Sequence, residues 1–206
     1  MNMMYIPKHF DEKRAELIHD LIRNYNFATM ITMRDALPIV SHLPFLFTAQ
    51  GSYGILTAHM ARANPQWRSF ANSDVTVIFQ GPHAYISPRW YSPSDTNVPT
   101  WNYAVVHAYG VPQIISDEAD AYGVLQRLIT AHDPSWTVEL SDKNRQDMLR
   151  EIVVFEIEVK KFEAKFKLSQ NRSESDAKAV MRELSKSGNQ TDNELGQLMH
   201  KAFTPK

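Results

Sequence analysis

The residues best suited to chemistry gather in His59-Met60-Ala61-Arg62-Ala63-Asn64-Pro65, where an imidazole, a guanidinium and a carboxamide fall close together. The pattern predicts a strand over residues 53–58 and a short helix within 62–70, with Pro65 limiting where its first turn begins. A helix start offers unpaired N–H groups and the positive end of the helix dipole, and a guanidinium can hold two oxygens at once. That set suits a phosphate. An Arg paired with a nearby carboxylate, beside an Asn that only caps the helix, would show the same spacing.

Three further stretches carry candidate side chains. Ser41 and His42 lie in a run, 37–47, that otherwise reads as core strand, so His42 either faces a cofactor edge or is a hydrogen-bonded core histidine. Residues 87–103 are dense in prolines and aromatics and contain Trp90, Tyr91, Trp101, Asn102 and Tyr103. Flat amphipathic rings held by prolines suit a wall against a planar ligand, a subunit interface, or a plain packing loop. Residues 162–172 hold Lys165, Lys167 and Arg172 among Ser169, Gln170 and Asn171. These either reach an anion or form a solvated exit from the last strand.

Composition removes several mechanisms. The 206 residues include no cysteine, which excludes disulfides, thiolate metal sites and cysteine nucleophiles. Only seven glycines occur, none at the spacing of a phosphate-cradling loop. The eight histidines form no metal-binding pattern, so no metal is expected, and no Gly-x-Ser-x-Gly elbow is present. The net charge of −1 does not advertise nucleic-acid binding, although residues 160–206 hold 10 Lys+Arg against 6 Asp+Glu, a local +4. Residues 1–10 lack the apolar stretch of a signal peptide and no run could cross a bilayer as a helix, so a cytoplasmic protein with no membrane contact is expected.

The elements that must position these residues read as mainly β with flanking helices. Asp11 is placed to cap a helix that ends near Asn24 or Asn26. Short β-rich runs follow at 27–33, 37–47, 53–58, 75–80, 83–87 and 104–109, with turns at Arg34-Asp35-Ala36, Gln50-Gly51-Ser52 and Gly81-Pro82. Closely spaced strands without long intervening helices predict an antiparallel barrel or sandwich. Helices are expected at 117–131 and 141–149, a final strand at 152–159, and polar helices at 176–186 and 193–203. The expected organisation is a domain over 1–170 and a helical extension over 171–206.

The blocks His59 to Trp67, Phe79 to Pro88, Pro99 to Tyr103 and Lys165 to Arg172, with the opening Met4-Tyr5-Ile6-Pro7-Lys8-His9-Phe10, closely resemble the PaiB family of FMN-binding negative transcriptional regulators. The resemblance runs from Met4 to about Leu184. It implies an FMN-binding split β-barrel related to pyridoxamine 5′-phosphate oxidases and flavin reductases, with two FMN sites at a homodimer interface. By the same resemblance Ser41 and His42 line the first strand, His59, Arg62 and Asn64 serve the phosphate side, and Trp101, Asn102 and Tyr103 arrive from the partner chain. Lys167, Gln170 and Arg172 either complete the site or stabilise the C-terminal fold. The implied function is flavin-dependent transcriptional regulation, acting on DNA directly or through a regulatory protein. The alternative is an FMN-dependent oxidoreductase acting on a small substrate, in which the flavin carries the chemistry and few side chains need be diagnostic. A flavin- or haem-storing protein without turnover is a third reading.

Overall fold

The structure is a computed structural model and describes residues 3–70, 74–92, 97–136 and 141–203. The first helix, α1 (Ala15–Asn24), buries Leu17, Ile18, Leu21 and Ile22 along one face. Asp11 does not cap it; its backbone forms an isolated antiparallel β-bridge with Lys165, and its carboxylate pairs with Lys13 at 2.9 Å. Its neighbour Glu12 accepts the N–H groups of Lys13 and Arg14 and pairs with the Arg14 guanidinium at 2.7 Å. Burial alone would raise the Glu12 pKa, but its bonds with Arg14 and Lys13 outweigh that and hold the carboxyl below its ordinary value.

Strands β1 (Phe27–Arg34) and β2 (Leu37–Pro44) form an antiparallel hairpin in which Arg34 faces Leu37. The two residues between them, Asp35 and Ala36, both have positive φ (51° and 61°), as a two-residue hairpin turn of matching twist demands. The run 37–47 divides at Phe45, giving a separate short strand β3 (Leu46–Thr48). Gly54, at φ 96°, leads into β4 (Ile55–Ala61); a Cβ there would lie 2.9 Å from the Thr48 carbonyl oxygen.

The last three strands are longer than the sequence pattern suggests. They are β5 (Val75–Ile86), β6 (Thr100–Ile114) and β7 (Ile152–Lys167). β5 continues straight through Gly81-Pro82, where a turn was expected. A Cβ on Gly81 would lie 2.8 Å from Leu21 Cδ1 and 3.2 Å from the Ala104 carbonyl, so this glycine serves close packing rather than a turn. Helices α2 (Glu118–His132) and α3 (Asp142–Arg150) precede β7, and α4 (Glu174–Leu184) and α5 (Gln190–Phe203) follow it. The strands form one sheet in the order β2-β1-β5-β6-β7-β4-β3.

By contacts the chain forms two units. One comprises Met1–Leu21, Gln80–Val106 and Glu163–Lys206; the other comprises Ile22–Phe79 and His107–Phe162. In the second, Phe45 meets Phe79 and Phe155 edge-on, and Phe70 packs on Phe155 with ring centroids 4.9 Å apart. Ala121, Val124, Leu125 and Leu128 of α2 pack beside Val154. In the first unit the ends of β5–β7 bury Ile86, Ala104 and Phe166, and α4 and α5 bury Val180, Leu184, Leu195 and Met199.

Candidate functional site

β4 pairs with β7 so that His59 stands opposite Val154. Leu56, Ala58 and Met60 alternate into the core, which leaves His59 on the other side of the strand, half-buried. Its Nδ1 is buried without a hydrogen-bond partner, and burial pushes the imidazole pKa below its ordinary value, so the ring is neutral near pH 7.

Beyond Ala61 the chain makes a 3-10 turn, Pro65–Ser69, in place of the short helix expected within 62–70. Asn64 caps it, accepting from the Gln66 N–H at 3.0 Å, and its Nδ2 donates to Ser41 Oγ at 2.8 Å. Pro65 has no N–H and that of Gln66 is taken, so the turn does not present the row of free donors that a helix start would supply.

Arg62 also differs from both sequence readings. Its Nε donates to the Arg150 carbonyl at 2.7 Å and its Nη2 to the Ile152 carbonyl at 2.6 Å, while its own N–H donates to the Glu151 carbonyl. The guanidinium thus ties the end of β4 to the start of β7. It keeps Nη1 without a protein partner among the described residues.

Ser41 and His42 point to opposite sides of β2, Ser41 to Asn64 and His42 to Thr29 Oγ1, 3.1 Å from its Nδ1. His42 is exposed, so it is not a core histidine. Sequence reasoning passed over Gln66. This fully buried side chain donates to the Met30 and Ile39 carbonyls, joining β1 and β2, while its Oε1 is unpartnered. Nothing local to the sequence marks it.

The other candidates lie in the first unit, where β5, β6 and β7 are neighbours. Alternation buries Ala84 and Ile86, Asn102 and Ala104, and Ala164 and Phe166. His83, Tyr85, Trp101, Tyr103, Lys165 and Lys167 occupy the alternate positions. Trp101 lies 6.1 Å from the His83 ring and 6.2 Å from that of Tyr85. The Lys165 ammonium is 5.5 Å from the Tyr103 ring centroid and 5.2 Å from that of Tyr5.

Lys167 donates to Thr100 Oγ1 and, at 2.6 Å, to the Trp101 carbonyl. Arg172 donates to Asn97 Oδ1 at 2.6 Å and stacks 4.6 Å over Tyr91. Burial, and then the charges of Lys165 and Arg172, push the Lys167 pKa down. None of the three cations forms an ion pair with a carboxylate among the described residues.

Asn102 and Gln170 play a different part. Asn102 turns into the core and donates to Ser169 Oγ at 2.9 Å. Gln170 folds back on the chain, accepting from the Leu168 N–H and donating to the Phe166 carbonyl. Both brace the turn after β7, where Ser169 has φ 69°. Trp101, Tyr103, Lys167 and Arg172 are therefore brought together, with Asn102 and Gln170 as their support. Lys165, Tyr5 and Tyr85 join them, a grouping that only the strand register makes visible.

Residues 4–161 match the family described as "Putative FMN-binding domain". The chain belongs to this FMN-binding family. It is 40% identical over 201 residues to "Protease synthase and sporulation protein PAI 2" of Bacillus subtilis, a match covering 95% of this chain and 96% of that one. It is thus a homologue of the PaiB protein suggested by the motifs. Two solved structures share its fold. Flavocytochrome Anf3 from Azotobacter vinelandii superposes with a TM-score of 0.64 at 14% identity, covering 81% of this chain and 74% of that one. The FAD and heme binding protein from Mycobacterium smegmatis superposes at 0.60 with 19% identity, covering 75% and 71%.

FMN, the cofactor of the family, fits the donor set. Its phosphate and the carbonyl edge of its ring are anionic or electron-rich, and the first unit holds Lys165, Lys167 and Arg172, which have no carboxylate partner among the described residues. Its planar ring suits the aromatic positions beside them. Within the second unit, taken by itself, His59 is a neutral imidazole with an unpartnered buried nitrogen. No cluster of metal-ligating side chains occurs among the described residues, and none of their helices is long and apolar enough to cross a membrane.

Proposed function

We propose that the chain is a homodimeric split-barrel flavoprotein that holds FMN and acts as a PaiB-type negative regulator of transcription. The observation that carries the flavin assignment is the Lys165–Lys167–Arg172 cluster beside Tyr103. Gathering like charges in a partly buried place costs free energy, and a bound anion relieves it.

Each residue then has a task. Lys167, fixed by the Trp101 carbonyl, keeps N–H capacity for an anionic oxygen, and Arg172 is held in place by Asn97 and Tyr91. Trp101 and Tyr103 offer ring surface, and in the homodimer they serve the partner's flavin. Across the motif of the second unit, Ser41 retains its hydroxyl hydrogen and Arg62 its Nη1, while neutral His59 offers Nδ1; these serve the phosphate side. Asn64 serves it indirectly by holding Ser41. FMN, when bound, supplies electron-transfer chemistry at its ring.

Regulation is proposed to run through a protein partner rather than by direct reading of DNA. The paired helices α4 and α5 carry Glu174, Asp176, Asp192 and Glu194, which oppose a phosphate backbone. The Bacillus subtilis relative bears protease synthesis and sporulation in its name, a setting that supports regulation over metabolism.

The test is an absorbance spectrum of the purified protein and a mass measurement of its released cofactor, followed by light scattering with and without FMN. Flavin absorbance, the FMN mass and a dimer are expected. A colourless protein that cannot be reconstituted with FMN would sink the cofactor assignment, and a monomer in both states would sink the shared site. Oxidation of reduced nicotinamide at a catalytic rate would move the reading to an oxidoreductase.

A further inference from the structure

Residues 3–10 contribute no strand to the sheet, yet the fold holds them at both ends. The buried carboxylate of Glu163, on β7, accepts the N–H groups of Met3 and Met4. At the other end the Phe10 ring is buried. Just beyond it the backbone runs beside β7, where Asp11 forms its bridge with Lys165 and the Glu12 N–H donates to the Ala164 carbonyl at 3.0 Å. All of these residues belong to the first unit.

A buried carboxylate is tolerated only when hydrogen bonds meet its lone pairs, and main-chain N–H groups do so here. Glu163 therefore sets the course of the backbone leading to Tyr5. Along β7, Glu163 shares its side of the strand with Lys165 and Lys167, while Ala164 and Phe166 turn into the core. The segment thus starts on the face where the cations are gathered.

Tyr5 stands on that face. Its ring centroid lies 5.2 Å from the Lys165 ammonium, and that of Tyr103 lies 5.5 Å from the same ammonium, so two rings share one cation. Tyr5 is nonetheless 81% exposed, and its hydroxyl makes no hydrogen bond among the described residues. Many proteins carry a single exposed ring, but this one rests on a backbone pinned on either side and beside the cluster of like charges. It is a rigid aromatic surface with capacity to spare.

We propose that Tyr5 is a flavin-contacting residue, its ring meeting the ring system of FMN beside Lys165 and Tyr103, and that Glu163 is the positioning residue that holds it there. The inference rests on the flavin assignment above. Tyr5 is given to the ring because an aromatic face gains from a planar partner, whereas a phosphate calls for charged donors. Trp101 and Tyr103 serve the partner's flavin in the homodimer, so Tyr5 serves that flavin too, and each cofactor is covered by the N-terminal segment of the other chain.

The test compares FMN with riboflavin, which has the same ring and no phosphate, on the full 206-residue chain. Binding is followed by flavin fluorescence, which a tyrosine touching the ring quenches. Tyr5→Ala should weaken both flavins by the same factor, about tenfold, and leave the bound flavin brighter. Tyr5→Phe keeps the ring and should keep the affinity. Glu163→Gln should weaken both flavins as well, and adding Tyr5→Ala to it should cost little more, a coupling that a general loss of stability would not produce. If Glu163→Gln fails to fold, the two substitutions at the exposed Tyr5 decide the matter. Unchanged affinity for both flavins in Tyr5→Ala, or a loss confined to FMN, would overturn the proposal and leave the flavin assignment standing. Additive losses in the double variant would remove Glu163 from the positioning role. A parent chain that binds neither flavin would overturn the assignment itself, and the proposal with it.

Discussion

Asn64 Nδ2 donates to Ser41 Oγ at 2.8 Å while the same carboxamide's Oδ1 accepts from the Gln66 N–H, so one side chain both caps the Pro65–Ser69 turn and ties it to β2. Asn64→Ala is expected to lower stability by about 1–2 kcal/mol, the usual cost of losing a capping side chain together with a second bond. Asn64→Asp keeps the acceptor for Gln66 and should recover part of that loss. Urea unfolding of the flavin-free proteins measures both, and an Asn64→Ala protein as stable as the parent would contradict the tie.

Arg62 is expected to matter before any ligand is present. Its two charged bonds to the Arg150 and Ile152 carbonyls hold strand ends together, and Arg62→Ala should cost about 1–2 kcal/mol in the absence of flavin, discounted for the residue's exposure. Arg62→Lys should restore little, since an ammonium cannot reproduce the fork. If the flavin-free protein kept its urea midpoint and only FMN affinity fell, Arg62 would be a ligand residue and no more.

Lys167 supplies a test with a pH signature. Its pKa lies below the ordinary 10.5 because of burial and two neighbouring cations, and a bound anion would raise it again. FMN binding should therefore take up a proton at alkaline pH, and affinity should decline as pH rises through the lowered pKa of the free protein. Lys167→Met should reduce affinity about tenfold near neutral pH and flatten that decline. Calorimetric titrations in buffers of different ionisation heat would detect the proton; its absence would remove Lys167 from the site.

His59 predicts how the fold responds to acid. Its pKa is pushed below 6.5 in the folded chain, so its contribution to stability is present above pH 6.5 and is lost as pH falls from there towards the folded value. His59→Phe should make the dependence of stability on pH shallower over that window. Thermal melts between pH 7.5 and roughly 5 report the slope, and identical slopes for parent and variant would exclude His59 as a source.

Much of the architecture is legible where a local rule is strong. The Arg34-Asp35-Ala36 turn joins β1 to β2 because a two-residue hairpin accepts few backbone conformations. Gly81-Pro82 misled, because a glycine that admits a neighbouring carbonyl has the same letter as one that turns the chain. Asp11 misled in the same way, since Glu12 accepts the N–H groups just before α1 while the Asp11 backbone is drawn into a β-bridge with Lys165 and its carboxylate pairs with Lys13.

At the site, the types of side chain could be read from the sequence and their commitments could not. That Lys167 and Arg172 are cations is plain, but their nearness to Tyr103 and Lys165 depends on strand register. Arg62 and Asn64 look free in the sequence, whereas most of their bonding capacity is used within the fold. Gln66 is the extreme case, a polar residue whose place is set wholly by two distant carbonyls.

The carboxylate of Glu163, buried at 3% exposure, accepts the N–H groups of both Met3 and Met4, at 3.0 and 2.8 Å. Six positions beyond Met4, Phe10 is buried as well, so the intervening chain is pinned at both ends with Tyr5 laid against Lys165 between them. The length of this stretch is consequently under as much constraint as its composition. A single inserted or deleted residue between Met4 and Phe10 would shift Tyr5 along the chain and uncover Lys165, so relatives that keep the cationic cluster should differ there by substitution and not by gaps.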